Sequence, residues 1–479
     1  MSNKFIRGGA EATAIKAEID VRAEALKKEI LESESKYDEA FGTIYYVSEN
    51  GDDSNDGLSP NTPIRTLAKA SELPLCPGDA VLFKRGETFR GNLKGRQAVV
   101  YSAYGEGKKP VLTNSLQNYA DPSIWEETEV KNVYKLTIPI KNDVGVIVFD
   151  EGKAWTIKRI KGRPEFPNGG LENLDVDLAM WHDVSKPVED TGYVYLRCDK
   201  GNPGSLYSSI EIATRSNIAS AANDITYDNI CFKYGAAHGI GSGSVCGFTV
   251  RYCEFGWIGG SWFRTDTLSR FGNAIEIYGG CRNYVCDHNY IYQIYDAGIT
   301  QQLKNGRGEV YMCDITYSYN LIEDTSYSVE FFLDPMNPND LAEGESQPTR
   351  YTKNFEMVGN IMRRSGYGFG EQRPDGQCAH IKGWRQVNPF INACFHDNIF
   401  DTARYMVHHF GASRHEWMPN MRNNIYVTGD ADTAYFGRIG GLNFDGSEAV
   451  EKRVDYNEEF ERNFNEVLCE KNSVVVVEK

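Results

Sequence analysis

Three acids in the middle of the chain, Asp296, Glu330 and Glu371, stand out because each follows a recurring Asn-containing phrase at a similar interval. Asp296 lies seven residues after Asn289, Glu330 ten after Asn320 and Glu371 eleven after Asn360, while His408 lies ten after Asn398 and His238 nine after Asn229. If these asparagines mark equivalent turns of stacked coils, similar offsets become one line in space, because strands of successive coils sit about 4.8 Å apart. That line gathers His238, Thr300 or Gln301, Glu330, Glu371 and His408, with Asp296 beside it. Carboxyl groups on adjacent coils then approach the roughly 5–5.5 Å of a retaining glycosidase pair, and those two coils apart the roughly 6.5–9.5 Å of an inverting pair. Neighbouring acids also push their pKa values apart, so that one donates a proton while the other stays ionised.

The run GEQRPDGQCAHIKGWRQ is the densest polar and aromatic stretch of the chain. Trp384 can stack on a sugar ring, and Arg373, His380 and Lys382 can bind hydroxyls or a carboxylate. The expected site therefore has Asp296, Glu330 and Glu371 as catalytic acids. His238, Gln301, Arg373, His380, Lys382, Trp384, Arg404 and His408 are its expected substrate-binding residues. A plainer alternative pairs Glu330 or Glu371 with Arg363, Arg364 or Arg373 on a solvated face. Hydrolysis by two carboxylates needs no cofactor and no metal. Eliminative cleavage of a uronate instead needs a base such as Lys382, Arg385 or Arg404 and a charge neutraliser, often calcium. The Asp-rich GDDSNDG lacks calcium-loop spacing and reads as a turn.

The elements that position these residues repeat. YDNICFKYG, VRYCEFGWIGG, DHNYIYQIYDAG, SYNLIEDTSYS, VGNIMRRSGYG, HDNIFDTARYM and RNNIYVTGD follow one another from Asn223 onward. Aligned on Asn229, Cys253, Asn289, Asn320, Asn360, Asn398 and Asn424, they describe coils of nearly constant length with loops inserted on one side. An Asn at the same turn of each coil bonds its neighbours above and below, and the following Ile or Leu fills a stacked core.

Upstream, TIYYVSENGDDSNDGLSPNTPIRTLAKASEL and CPGDAVLFKRGETFRGNL read as strand, turn, short helix and strands. Tyr46, Val47, Ser48, Gly51, Asp53, Asn55, Asp56, Gly57, Ser59 and Pro63, then Thr66, Leu67 and Ala70, then Pro77, Gly78, Asp79, Val81, Leu82, Phe83, Gly86, Arg90 and Gly91, carry a family pattern. The segment resembles the opening coil of the pectate-lyase-like superfamily, which implies an all-β, right-handed parallel β-helix. Glu276 through Arg404 resembles the middle coils of β-helix glycoside hydrolases, including intracellular β-xylosidases. That resemblance implies an Asp and a Glu from neighbouring coils, with Asp296 and Glu330 as counterparts. Phage tailspikes are similar in combining a β-helix with a short N-terminal helix, which implies a trimer that binds or cuts surface polysaccharide.

Around these motifs, residues 1–42 form a helical segment, helical from Glu11 to Phe41, in which Ile15, Ile19, Ala23, Leu26, Ile30, Tyr37 and Phe41 recur at roughly 3.6-residue spacing, either packed on the body or forming an oligomerising stalk. Residues 43–479 form the β-helix domain, in which 116–218 is an inserted β subdomain or a set of loops over a groove. A net charge of −16 disfavours a nucleic-acid partner held by a broad basic surface, and no apolar run is long enough for a membrane span. The N-terminus lacks the apolar core of a secretory signal, so a cytoplasmic or virion-associated protein with a carbohydrate partner is expected.

Overall fold

The computed structural model describes residues 2–303, 308–336, 338–374, 377–386, 390–411, 418–429, 435–440, 451–468 and 470–478. Asp375 and the Trp384 and Arg385 side chains lie outside them. The chain winds into a right-handed parallel β-helix. One face is a ten-stranded parallel sheet running from Ile44–Val47 through Val100–Tyr104, Cys281–Asp287 and Arg350–Val358 to Asn420–Arg422. Two further faces share a larger sheet, because the long strands Tyr290–Leu303 and Leu321–Leu333 bend from one face into the next.

Between the first face and the second, an asparagine ladder turns the corner. Asn289 Nδ2 donates to Asn320 Oδ1 (2.9 Å), Asn320 to Asn360 (2.9 Å), Asn360 to Asn398 (2.9 Å) and Asn398 to Asn424 (3.3 Å). Each Oδ1 also accepts the backbone N–H of the asparagine in the preceding rung, so a corner that no regular sheet bond closes is satisfied from side chains. The residue before each asparagine takes a left-handed backbone, and at Gly359 (φ 66°) a Cβ would stand 2.5 Å from the Tyr319 ring. The ladder ends on Glu470, which accepts from Asn424 Nδ2 at 2.7 Å.

The helix Gly9–Glu32 lies along the second face, with Ile19, Ala23 and Ile30 packed with Tyr290, Leu321, Ile361 and Ile399 of successive rungs. It ends well before the expected Phe41, because Ser33 turns to extended backbone and Phe41 is left 85% exposed. Between the early coils, a five-stranded sheet formed by Trp125–Glu127, Val133–Leu136, Ile157–Arg159, Ala179–His182 and Val194–Arg197 builds its own apolar core around Met180, Val194 and Leu196. The hairpin of Ser261–Arg264 and Ser269–Phe271 stands beside it. Among the described residues, no helix is long and apolar enough to cross a membrane.

On the third face, Ile240, Ile275, Ile299, Val329 and Ile381 stack inward in register, all within 1% of complete burial. Alternation then fixes the outward row one residue later: Gly241, Glu276, Thr300, Glu330, Lys382 and His409.

Candidate active site

Gly241, Glu276, Glu330 and Lys382 of that row line the floor of a cleft of about 770 Å³. Phe263, Arg270 and Phe271 of the hairpin form one side, Asp296 and Arg373 close another, and His238 and Asn217 lie toward the early coils. Three carboxyl groups meet here: Glu276, Asp296 and Glu330, exposed by only 6%, 8% and 6%.

Their partners separate them chemically. Glu330 is clamped by Lys382 Nζ on Oε1 (2.8 Å) and by Gln302 Nε2 on Oε2 (2.7 Å). Asp296 Oδ2 pairs with Arg373 at 2.7 Å. Both cations lie over the Tyr327 ring, Lys382 at 4.0 Å and Arg373 at 5.2 Å from its centroid. Burial works against the Lys382 ammonium, but Glu330 first, then Tyr327 and Asp296, together outweigh it and raise the lysine above its usual range. Glu276 has no cation beside it among the described contacts. It accepts from Asn273 Nδ2 (2.6 Å) and is hydrogen-bonded to the Thr300 hydroxyl, both through Oε2. Burial, reinforced by the charges of Glu330 and Asp296, pushes its pKa up to about 8 against the pull of those two bonds. Near neutral pH Glu276 therefore keeps its proton, while Glu330 and Asp296 are each paired with a cation.

His238 is half-buried at the cleft, and its Nδ1 accepts from the Asn273 backbone N–H at 3.1 Å. Burial, then the charge of Arg215, lowers its pKa to about 3, so it is a neutral ring with its proton on Nε2.

Of the residues expected from sequence, Asp296, Glu330, His238, Arg373 and Lys382 come together. Others are placed elsewhere. Glu371 sits on the exterior, its side chain 56% exposed and paired with Arg404 at 3.0 Å, so neither residue lines the cleft. Gln301 points inward and accepts from the Tyr317 hydroxyl, and Gln302 is the neighbour that faces out. His380 is fully buried, with Nδ1 2.8 Å from Ser365 Oγ and 3.2 Å from Ser328 Oγ. His408 occupies the inward row among Phe400, Phe410 and Phe436, and His409 takes the outward place. Burial lowers both buried histidines to about 3, leaving them uncharged core groups.

Sequence reasoning missed Glu276, in NAIEIYGG. Its coil carries Cys253 where the others carry Asn, and the hairpin inserted after Ile258 stretches the interval to Glu276 to 23 residues. An acid between two inward isoleucines was the available signal.

The fold and this site define the chain as a parallel β-helix protein with an acid-lined cleft. No protein-family profile matches it. A stretch of 108 residues is 36% identical to a lacto-N-biosidase of Bifidobacterium longum subsp. longum, covering 19% of this chain and 6% of that protein's length. Similar solved structures include XylC in complex with xylose (12% identity, TM-score 0.44, 85% of this chain and 73% of that one). A GH136 lacto-N-biosidase from Eubacterium ramulus (12%, 0.35, 91% and 68%) and the pectate lyase Pel9A (11%, 0.36, 92% and 78%) are others.

Proposed function

We propose that the chain is a glycoside hydrolase and that the cleft over Glu276 and Glu330 is its active site. The observation that carries this reading is the unequal state of acids in one cleft: Glu276 retains its proton near neutral pH, while Glu330 and Asp296 are held by cations. Glycosidic cleavage needs that division, one group to protonate the leaving oxygen and another to act at the anomeric carbon.

In this reading Glu276 is the general acid. The asparagine and threonine bonds both engage Oε2, which leaves Oε1 to carry the proton. Glu330 lies two rungs away in the same row, about 9.6 Å between Cα positions at two strand spacings. That leaves room for a water, which Glu330 activates as general base. Asp296 and Arg373 close the end of the cleft and bind sugar hydroxyls, and His238 donates through Nε2–H. The side chains supply all of this chemistry, so no cofactor is required. The stretch shared with a lacto-N-biosidase supports a hydrolase. Lys382 also supports it over a lyase, because an ammonium stabilised by Glu330 is not a base.

The test is a panel of aryl glycosides and oligosaccharides with the wild-type protein and with Glu276→Gln and Glu330→Gln. Released aglycone or new reducing ends are expected from the wild type, with a fall of roughly 10²–10⁴-fold in each variant. An unsaturated, ultraviolet-absorbing product, or wild-type rates in both variants, would overturn the proposal.

A further inference from the structure

On the far side of the hairpin from the cleft, the inserted sheet carries a second cavity of about 320 Å³. Trp262 of the hairpin faces this cavity, while Phe263, next in the chain, lines the cleft. At its base, Asp143 is ion-paired with Lys158, both side chains at least 97% buried, and accepts the Trp262 backbone N–H at 2.6 Å. Lys158 also donates to the Val144 carbonyl (2.6 Å), so neither charge of the pair is left uncompensated.

Two donors remain. His182 is 3% exposed, and its Nδ1 accepts the Val144 N–H at 3.2 Å, which places the ring proton on Nε2. That Nε2 and Trp262 Nε1, on a residue 8% exposed, have no hydrogen-bond partner among the described residues. A buried donor without a partner is costly to leave unmet, so two in one cavity mark a place where an acceptor belongs. The charged side chains lining the cavity are Asp143 and Lys158, paired with each other, Arg159, paired with Asp175 at 2.7 Å, and Lys161 and Asp183, so the two unpartnered donors and not a net charge mark the site. Trp181, half-buried and stacked on Tyr195 at 5.6 Å, supplies an aromatic surface.

We propose that this cavity is a second carbohydrate site that takes a carboxylated sugar, its ring against Trp181 and its carboxylate accepting from His182 Nε2 and Trp262 Nε1. A carboxylate has acceptors only, which matches two unused donors better than a hydroxyl does. The cavity volume suits a single sugar unit. The choice of a sugar rests on the proposed hydrolase reading, but binding is measured without turnover, so the two stand or fall separately.

Isothermal titration with D-glucuronate and with methyl glucoside tests it. Glucuronate is expected to bind, with the neutral sugar about tenfold weaker or worse, the loss of one or more charge-assisted hydrogen bonds. Trp181→Ala and His182→Ala are each expected to weaken glucuronate binding by about tenfold. Trp181 is at the cavity rim, so its variant serves if His182→Ala fails to fold. Equal binding of the two sugars, no glucuronate binding, or an unchanged affinity in folded Trp181→Ala would overturn the assignment. The last result also covers glucuronate binding in the cleft instead.

Discussion

Lys382 is joined to Glu330 twice, as its partner in the parallel ladder and through an ion pair of 2.8 Å. Each side chain is less than one-tenth exposed, so the pair is largely withdrawn from water. Removing one partner leaves the other charge buried and uncompensated, whereas removing both avoids that penalty. Lys382→Met is therefore expected to destabilise the protein by about 3–5 kcal/mol, and Glu330→Leu/Lys382→Met to recover most of it without recovering turnover. Denaturant unfolding of the three proteins, with activity measured beside it, checks both halves. If Lys382→Met unfolds like the wild type, the pair is not the buried clamp described.

Glu276 sets a pH dependence of known sign. Its folded pKa of about 8 lies above the ordinary 4.5, so the folded protein keeps a proton that the unfolded chain has lost through this interval. Stability from this site is then greatest at low pH and declines from about pH 4.5 to 8. Glu276→Gln, which cannot ionise, is expected to gain in melting temperature relative to wild type as pH rises from about 5 to 8.5. The wild-type kcat/KM is expected to fall tenfold per pH unit above about 8, as its acid deprotonates. A rate limb that persists in an otherwise active Glu276→Gln would assign the titration to another group.

The asparagine ladder was legible in the sequence, because one residue type recurs at a corner where every rung has the same unmet backbone groups. The outward row was only partly legible. Counting forward from each asparagine works where the strand runs on without interruption, as from Asn320 to Glu330. It fails where a segment is inserted: residues 366–378 lie between Asn360 and its outward strand, so the eleventh position falls on exterior Glu371 and Lys382 takes the place in the row. A slip of one residue is enough to exchange faces, which is why Gln301 and His408 face the core and Gln302 and His409 face outward.

Asn320 is the central test of the ladder. It donates to Asn360 and to the Cys286 carbonyl (2.9 Å), and accepts from both the side chain and the backbone N–H of Asn289. Asn320→Ala orphans several buried groups at once and is expected to cost about 3–6 kcal/mol at roughly 1–3 kcal/mol for each. The Michaelis constant at a temperature where the variant is folded should be unchanged, since the cleft lies on another face. Thermal unfolding and kinetics at low temperature separate the two effects.

The Glu371–Arg404 pair gives the opposite expectation. At 56% side-chain exposure for Glu371, the pair is screened by water and outside the cleft. Glu371→Gln and Arg404→Met are each expected to change stability by less than about 1 kcal/mol and to leave turnover within a factor of about 2 of the wild type. A loss of turnover by orders of magnitude in Glu371→Gln would transfer the acid role to it and move the active site away from the Glu276 row.

The stereochemistry of the product tests the spacing of the acids most directly. Thr300 occupies the rung between Glu276 and Glu330, and the two-rung interval of about 9.6 Å in the backbone suits a water between the acid and the base better than direct attack. Proton NMR of the first product formed is therefore expected to show the anomer opposite to that of the substrate. Retention would require a carboxylate near enough to bond the anomeric carbon. In the cleft that group would be Asp296, released from Arg373 as the sugar enters, and Asp296→Asn rather than Glu330→Gln would then trap no covalent intermediate with a slow fluorinated substrate.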